Sequence, residues 1–138
     1  MRYIGVDLGQ KRVGFAVSGE AGLLAVPVRT VNVRSLAEAR DAVAKIMAEF
    51  NAGLAVVGHA RDMDGRAGAK AAECQQFAAM LKEAGIAVEL WDERLTSAEA
   101  ERYLSEAGIG PRQRKGKIDA LAAQRILESF LSAKQKQG

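Results

Sequence analysis

Tyr3-Ile4-Gly5-Val6-Asp7-Leu8-Gly9 is the stretch on which the fold turns. It is rich in strand formers and apolar at nearly every position, so it reads as a strand buried in a sheet. Asp7 breaks that pattern. A carboxylate in such a strand is costly unless a partner or a bound cation compensates it. The next run of strand formers covers residues 12–18, after the tight Gly9-Gln10-Lys11 segment. The pair predicts a hairpin of strands 2–8 and 12–18. A third extended stretch is expected over about residues 24–31, following the Gly19 to Gly22 turn.

Beyond this meander the pattern changes. Ser35 and Glu38 form a capping box, and Leu36, Val43, Met47 and Phe50 recur at helical spacing until Asn51-Ala52-Gly53. The apolar run Leu54-Ala55-Val56-Val57 follows a helix and reads as a buried parallel strand. Residues 58–70 are polar and glycine-bearing, a loop signature. A second helix is expected to about Ala84, with Cys74, Ala78 and Leu81 on its apolar face, and Gly85 ends it. A strand from Ala87 to Trp91 follows, with Trp91 expected in the core. Thr96 and Glu99 cap a helix ending at Gly108. A last helix is expected from about Lys117 to Ala133, burying Ala122, Ala123, Ile126, Leu127, Phe130 and Leu131, with a frayed tail from Lys134 to Gly138. The order β-β-β-α-β-α-β-α-α predicts an α/β fold, a mixed five-stranded sheet flanked by helices, in one domain over 1–138.

Composition narrows the class. Apolar residues make up 49% of 138 residues, enough for a packed core and too many for a disordered chain. The formal net charge of +3 permits nucleic-acid binding. The single cysteine, Cys74, cannot form an internal disulfide, which fits a reducing compartment. No stretch is apolar for long enough to span a membrane, and the first residues carry no signal-peptide pattern, so a cytoplasmic protein with no membrane partner is expected.

Acids recur where the chemistry of a site needs them. Asp92 and Glu93 follow the strand Val88-Glu89-Leu90-Trp91, and Asp119 opens the last amphipathic run, after the basic segment Arg112 to Lys117. In mixed sheets of this order, ligands gather at the carboxyl ends of the parallel strands. Carboxylates without a histidine or cysteine cluster suit hard cations, Mg²⁺ or Mn²⁺. Asp7 would bridge two ions, with Glu93 and Asp119 each holding one side. A basic segment beside such acids suits a phosphodiester, the pattern of a metal-dependent nuclease.

The chain resembles the YqgF family of RuvC-like nucleases, the Holliday-junction resolvase or pre-16S ribosomal RNA nuclease group. The matching motifs are Asp7-Leu8-Gly9-Gln10-Lys11-Arg12-Val13-Gly14, Val57-Gly58 with Met63-Asp64-Gly65, Asp92-Glu93-Arg94-Leu95-Thr96, and Lys115-Gly116-Lys117-Ile118-Asp119. They run in order over nearly the whole chain. The resemblance implies a ribonuclease-H-like fold, an acidic site on Asp7, Glu93 and Asp119, and cytoplasmic nuclease activity on ribosomal RNA precursors or branched DNA. Two departures bear on the rim of the site. Gln10 stands where the family usually has Thr or Ser, and His59-Ala60 replaces a usual Leu-Pro.

The nucleic-acid contacts are expected from Lys11 and Arg12 at the hairpin, Arg61, Arg66 and Lys70 in and after the 58–70 loop, Arg94 beside Glu93, and Arg112, Arg114, Lys115 and Lys117 in a glycine-rich connector over 108–118. Each has a plainer reading as a solvated charge. His59, the lone histidine, could assist proton transfer. Aromatic content of 5% gives little for a base-stacking platform, so recognition should be of backbone and shape. The alternative is a non-catalytic RNA-binding or transcription-associated module on the same fold, which metal-dependent cleavage would exclude. An actin-like ATPase would need a second Asp-x-Gly half that this chain lacks. Concerted cutting of a four-way junction calls for a homodimer, and RNA trimming only for a monomer.

Overall fold

The computed structural model describes residues 1–20, 24–59, 69–92 and 111–137, with the backbone alone for 59, 69–71, 92, 111–119 and 135–137. Of the loop expected over 58–70, Gly58 and His59 belong instead to a strand and Ala69 and Lys70 to a helix, and 60–68 lie outside the described residues, as do the Thr96-capped helix and the rest of the segment 93–110. The elements are β1 (Tyr3–Leu8), β2 (Arg12–Ser18), β3 (Ala25–Asn32), α1 (Leu36–Phe50), β4 (Leu54–His59), α2 (Ala69–Glu83), β5 (Val88–Asp92) and α3 (Pro111–Gln137). They build one five-stranded sheet in the order β3-β2-β1-β4-β5. The arm β1-β2-β3 is antiparallel, and β4 and β5 run parallel to β1. The sheet is mixed, as the element order requires.

Alternation along β1 separates two apolar cores, one on each face of the sheet. Ile4, Val6 and Leu8 join Val13, Phe15 and Val17 of β2 on the face covered by α1 (Ala39, Val43, Ile46) and α2 (Cys74, Phe77, Leu81). Tyr3 lies on the other face with Ala16 and Val56, under Ala123, Ile126, Leu127, Phe130 and Leu131 of α3. Strands sandwiched in this way read as continuous apolar runs, which is why β1 and β4 show no polar alternation.

Local chemistry sets the ends of the elements. The β1-β2 turn is closed by the Gly9 amide donating to the Arg12 carbonyl at 2.8 Å, and a Cβ on Gly9 would stand 2.8 Å from that same oxygen. Ser35 caps α1 by accepting from the Glu38 amide at 3.1 Å, and the Glu38 carboxylate accepts from the Arg34 amide at 3.0 Å. Asn51 ends the helix in the left-handed region at φ 51°. Gly85, at φ 82°, does the same for α2. The buried stripe of α1 is Ala39, Val43 and Ile46, flanked by the half-buried Leu36, Met47 and Phe50. The expected Leu36, Val43, Met47 and Phe50 all pack on this core face, and Ile46 and the small Ala39 complete it.

Three other expectations are corrected. The last helix starts at Pro111, not near Lys117, so residues 111–117 belong to a helix and not to a connector. Pro111 suits a first helical position, and Gly116 is tolerated inside the helix at a cost of about 1 kcal/mol. The helix also runs through Lys134 to Gln137, where fraying was expected. Trp91 is half-buried at the outer strand β5, where its Nε1 donates to Ser129 Oγ at 2.9 Å and its ring meets Phe130 edge-on at 5.4 Å. An edge strand covered on one side cannot bury an indole completely.

Arg29 of β3 grips Glu49 of α1 through two hydrogen bonds, of 2.8 and 2.6 Å. The Arg29 hydrogen bond holds the Glu49 carboxyl below its usual range. A carboxyl lowered on folding stabilises the fold fully above its unfolded pKa, and the contribution is lost as pH falls through the folded value. Glu49→Gln should therefore lower the urea midpoint slightly at pH 7, and the difference from wild type should vanish in acid. The pair is solvent-exposed, so the effect should be small and salt-sensitive.

Candidate functional site

The parallel strands β1, β4 and β5 all end on one edge of the sheet. Val6 pairs with Val57, Gly58 pairs with Trp91, and His59 pairs with Asp92. Asp7 lies at this edge, 8% exposed and among the few buried polar residues. Its position in β1 shares the face of Tyr3 and Gly5, the face that α3 covers.

The neighbours of Asp7 across the sheet are glycines. Its partner on β2 is Gly14. On β4, Gly58 comes next after Val57, the partner of Val6. The carboxylate is thus flanked by strand positions without side chains. Glycine inside a strand weakens it and often marks close approach by a ligand or another backbone.

α3 fixes the third side. Tyr3 and Phe130 rings meet edge-on at 5.6 Å, and Lys134 Nζ lies 5.7 Å above the Tyr3 ring. Two residues farther along β1, a Cβ on Gly5 would stand 2.5 Å from the Ala123 carbonyl oxygen and 3.0 Å from Leu127 Cβ. The helix therefore tracks β1 in reverse, its earlier turns lying toward Asp7. Asp119 is one helical turn before Ala123, on the backbone of that approaching segment. Arg112, Arg114, Lys115 and Lys117 occupy the first two turns of the same helix.

Lys11 and Arg12 sit in the β1-β2 turn just past Asp7, and with Gly9 and Gln10 they line a shallow cavity of about 270 Å³. His59 closes β4 at the same edge, level with Asp92. Lys70 is in the first turn of α2. Cys74, expected as core, is fully buried, and its thiol donates to the Gly58 carbonyl at 3.5 Å. Glu93, Arg61, Arg66 and Arg94 lie outside the described residues. Of the three expected carboxylates, Asp7 alone has a described side chain, and no cluster of three metal-binding side chains occurs among the described residues. Gly5, Gly14 and Gly58 stand in the stretches singled out from sequence, but no role beside Asp7 was assigned to them there. Their signal was present, since each interrupts a run of strand formers.

Known proteins place the chain. A sequence profile of the RuvX family, described as a Holliday junction resolvase, matches residues 1–133. The chain belongs to this family. A relative from Lachnospira eligens, named "Putative pre-16S rRNA nuclease", is 41% identical over 140 residues, covering 99% of this chain and 100% of the relative. A relative of the same name from Anaeromyxobacter sp. strain K is 43% identical over 132 residues, covering 95% and 96%. Among solved structures, Thermus thermophilus RuvC superimposes with a TM-score of 0.58 at 18% identity, over 99% of this chain and 97% of the other. The yeast mitochondrial Holliday junction resolvase Ydc2 gives 0.59 at 12% identity, over 98% and 80%. The fold of this RuvX member is thus RuvC-like, of the ribonuclease-H type. No described helix is long and apolar enough to cross a membrane.

Proposed function

We propose that this RuvX protein is a cytoplasmic, divalent-metal-dependent nuclease that hydrolyses phosphodiester bonds of a pre-16S ribosomal RNA, at a site formed by Asp7, Glu93 and Asp119. The observation that carries the reading is the buried Asp7 between two glycine positions, at the edge where the parallel strands end. The names of the relatives favour the ribosomal precursor over branched DNA, the substrate in the family's description.

An all-oxygen donor set fits Mg²⁺ or Mn²⁺ and not a softer metal. Such ions, when bound, acidify an attacking water and offset charge on the leaving oxygen. Asp7 is the central ligand, because it is short and fixed by a rigid strand. Glu93 follows directly on β5 in sequence, next after Asp92, whose strand position is level with His59 at this edge. Asp119 belongs to the helix segment that approaches the same edge. Lys11 and Arg12, with Arg61, Arg66 and Arg94, would grip the backbone phosphates around the scissile bond.

The first turns of α3 support an anionic ligand independently. A helix N-terminus carries partial positive charge, so four cations there oppose helix stability. No acid offsets them in the first turn. An approaching phosphate backbone relieves both the dipole and the repulsion.

Divalent ion should raise the melting temperature by several degrees, since it binds the native state only. Glu93→Gln and Asp119→Asn should each cut that increment by more than half, read by thermal denaturation with and without Mn²⁺. The substrate is tested by offering a pre-16S fragment and a four-way junction side by side, in Mg²⁺, Mn²⁺ or EDTA. Metal-dependent trimming of the RNA is expected. Efficient paired cuts in the junction, by a protein that sediments as a homodimer, would assign branched DNA instead.

A further inference from the structure

Gly5 of β1 and Ala123 of α3 approach closely, with no room for a side chain between them. A Cβ on Gly5 would stand 2.5 Å from the Ala123 carbonyl oxygen. That oxygen is backbone, held in the helical ladder, and it cannot swing aside as a side-chain tip can. The second obstacle, Leu127 Cβ at 3.0 Å, is equally close to its own backbone. An ordinary contact needs about 3.5–4.0 Å. Any residue larger than glycine at position 5 must therefore move the helix off the sheet by roughly 1 Å.

The position of this contact gives it its meaning. Gly5 is two residues before Asp7 on the same face of β1, and Ala123 is one turn after Asp119 on the same helix. The contact therefore lies two residues from Asp7 along the strand and one turn from Asp119 along the helix. Neighbouring positions carry the same restriction. Ala16, the β2 partner of Gly5, is fully buried on this face and is also small. Elsewhere α3 rests on larger groups, such as Tyr3 under Phe130.

We propose that Gly5 is a positioning residue of the nuclease site: by letting the α3 backbone seat directly on β1, it sets the separation of Asp119 from Asp7 and hence the fit of the divalent ions between them. The inference rests on the reading of Asp7 and Asp119 as metal ligands. Ions in a paired site stand about 3.5–4 Å apart, with ligand distances near 2.1 Å, so a lift of about 1 Å is a large error. Misplacement of that size can cost about a hundredfold in rate, and disturbing groups that orient metal ligands typically costs 10–100-fold in metal affinity.

The test is a Mn²⁺ titration of the melting temperature of the full chain, with turnover measured in parallel. Wild type, Gly5→Ala, Ala16→Val and Phe130→Leu are compared. Gly5→Ala should need about 10–100-fold more Mn²⁺ for half its stabilisation and should lose about a hundredfold in turnover. Phe130→Leu loosens the far end of the same helix, so it should melt lower without changing the Mn²⁺ midpoint. A merely structural role for Gly5 predicts that the two variants behave alike. Should Gly5→Ala fail to fold, Ala16→Val carries the test, since it adds bulk on the same face of the sheet at the β2 partner of Gly5. A raised Mn²⁺ midpoint in that variant supports the proposal. A foldable Gly5→Ala, or failing it an Ala16→Val, that matches the wild-type midpoint overturns the positioning role and leaves the metal-site reading standing. A wild type with no response to Mn²⁺ removes that reading and the positioning role together.

Discussion

Asp7→Asn should abolish cleavage while the protein stays folded. The carboxylate is buried at the edge where β1 and β4 end, beside positions that have no side chain to replace it. An amide keeps the shape but cannot hold a cation pair as an anion does. Metal ions contribute several kcal/mol of charge stabilisation in such reactions, and each 1.36 kcal/mol is tenfold in rate. Turnover should therefore fall by about a thousandfold or more. Without metal the variant should melt at or above the wild-type temperature, because a buried negative charge has been removed. With Mn²⁺ the order should reverse. Substantial turnover in a folded Asp7→Asn protein would refute the assignment of the site.

The second large effect is on binding. Replacing Arg112, Arg114 and Lys115 together with Ala should leave α3 intact or firmer, since Ala is the best helix former and the three cations oppose the dipole. Each lost phosphate contact should flatten the plot of log affinity against log salt by about 0.7–0.9 units, or about 2–3 units for the three. At 0.1 M salt that corresponds to a loss of about 10²–10³ in affinity. The loss should be uniform across nucleotide sequences, because these contacts read phosphate and not base edges. The Mn²⁺ increment in melting temperature should survive, as no ligand has been removed. A triple variant with an unchanged salt slope would make the segment a solvated helix start and nothing more.

The legible parts of the fold were those where local chemistry and burial agree. β1 and β4 were readable because sandwiched strands are apolar throughout, and α1 because Ser35, Glu38 and Asn51 mark its ends. Asp7 stood out for the same reason, as the one charge in an apolar strand, and it is buried at the edge where the parallel strands end. The start of α3 was hidden. Residues 111–117 contain no apolar stripe to report a period, and Gly116 reads as a breaker. Tertiary context carries them as a helix regardless. Trp91 was misjudged because sequence does not reveal which strand is outermost. The least legible feature was the seat of α3 on Gly5. A glycine in a strand announces that something comes close, and only the packing says that it is the Ala123 carbonyl.

Anomalous diffraction from crystals grown with Mn²⁺ tests most directly whether divalent ions are held at Asp7. Mn²⁺ should lie within about 2.0–2.2 Å of an Asp7 carboxylate oxygen, with Glu93 and Asp119 completing the protein ligands. The Asp7→Asn protein, treated identically, should show no Mn²⁺ there. Mn²⁺ bound elsewhere while Asp7 holds none, at concentrations that support cleavage, would contradict the assignment of Asp7 as a metal ligand.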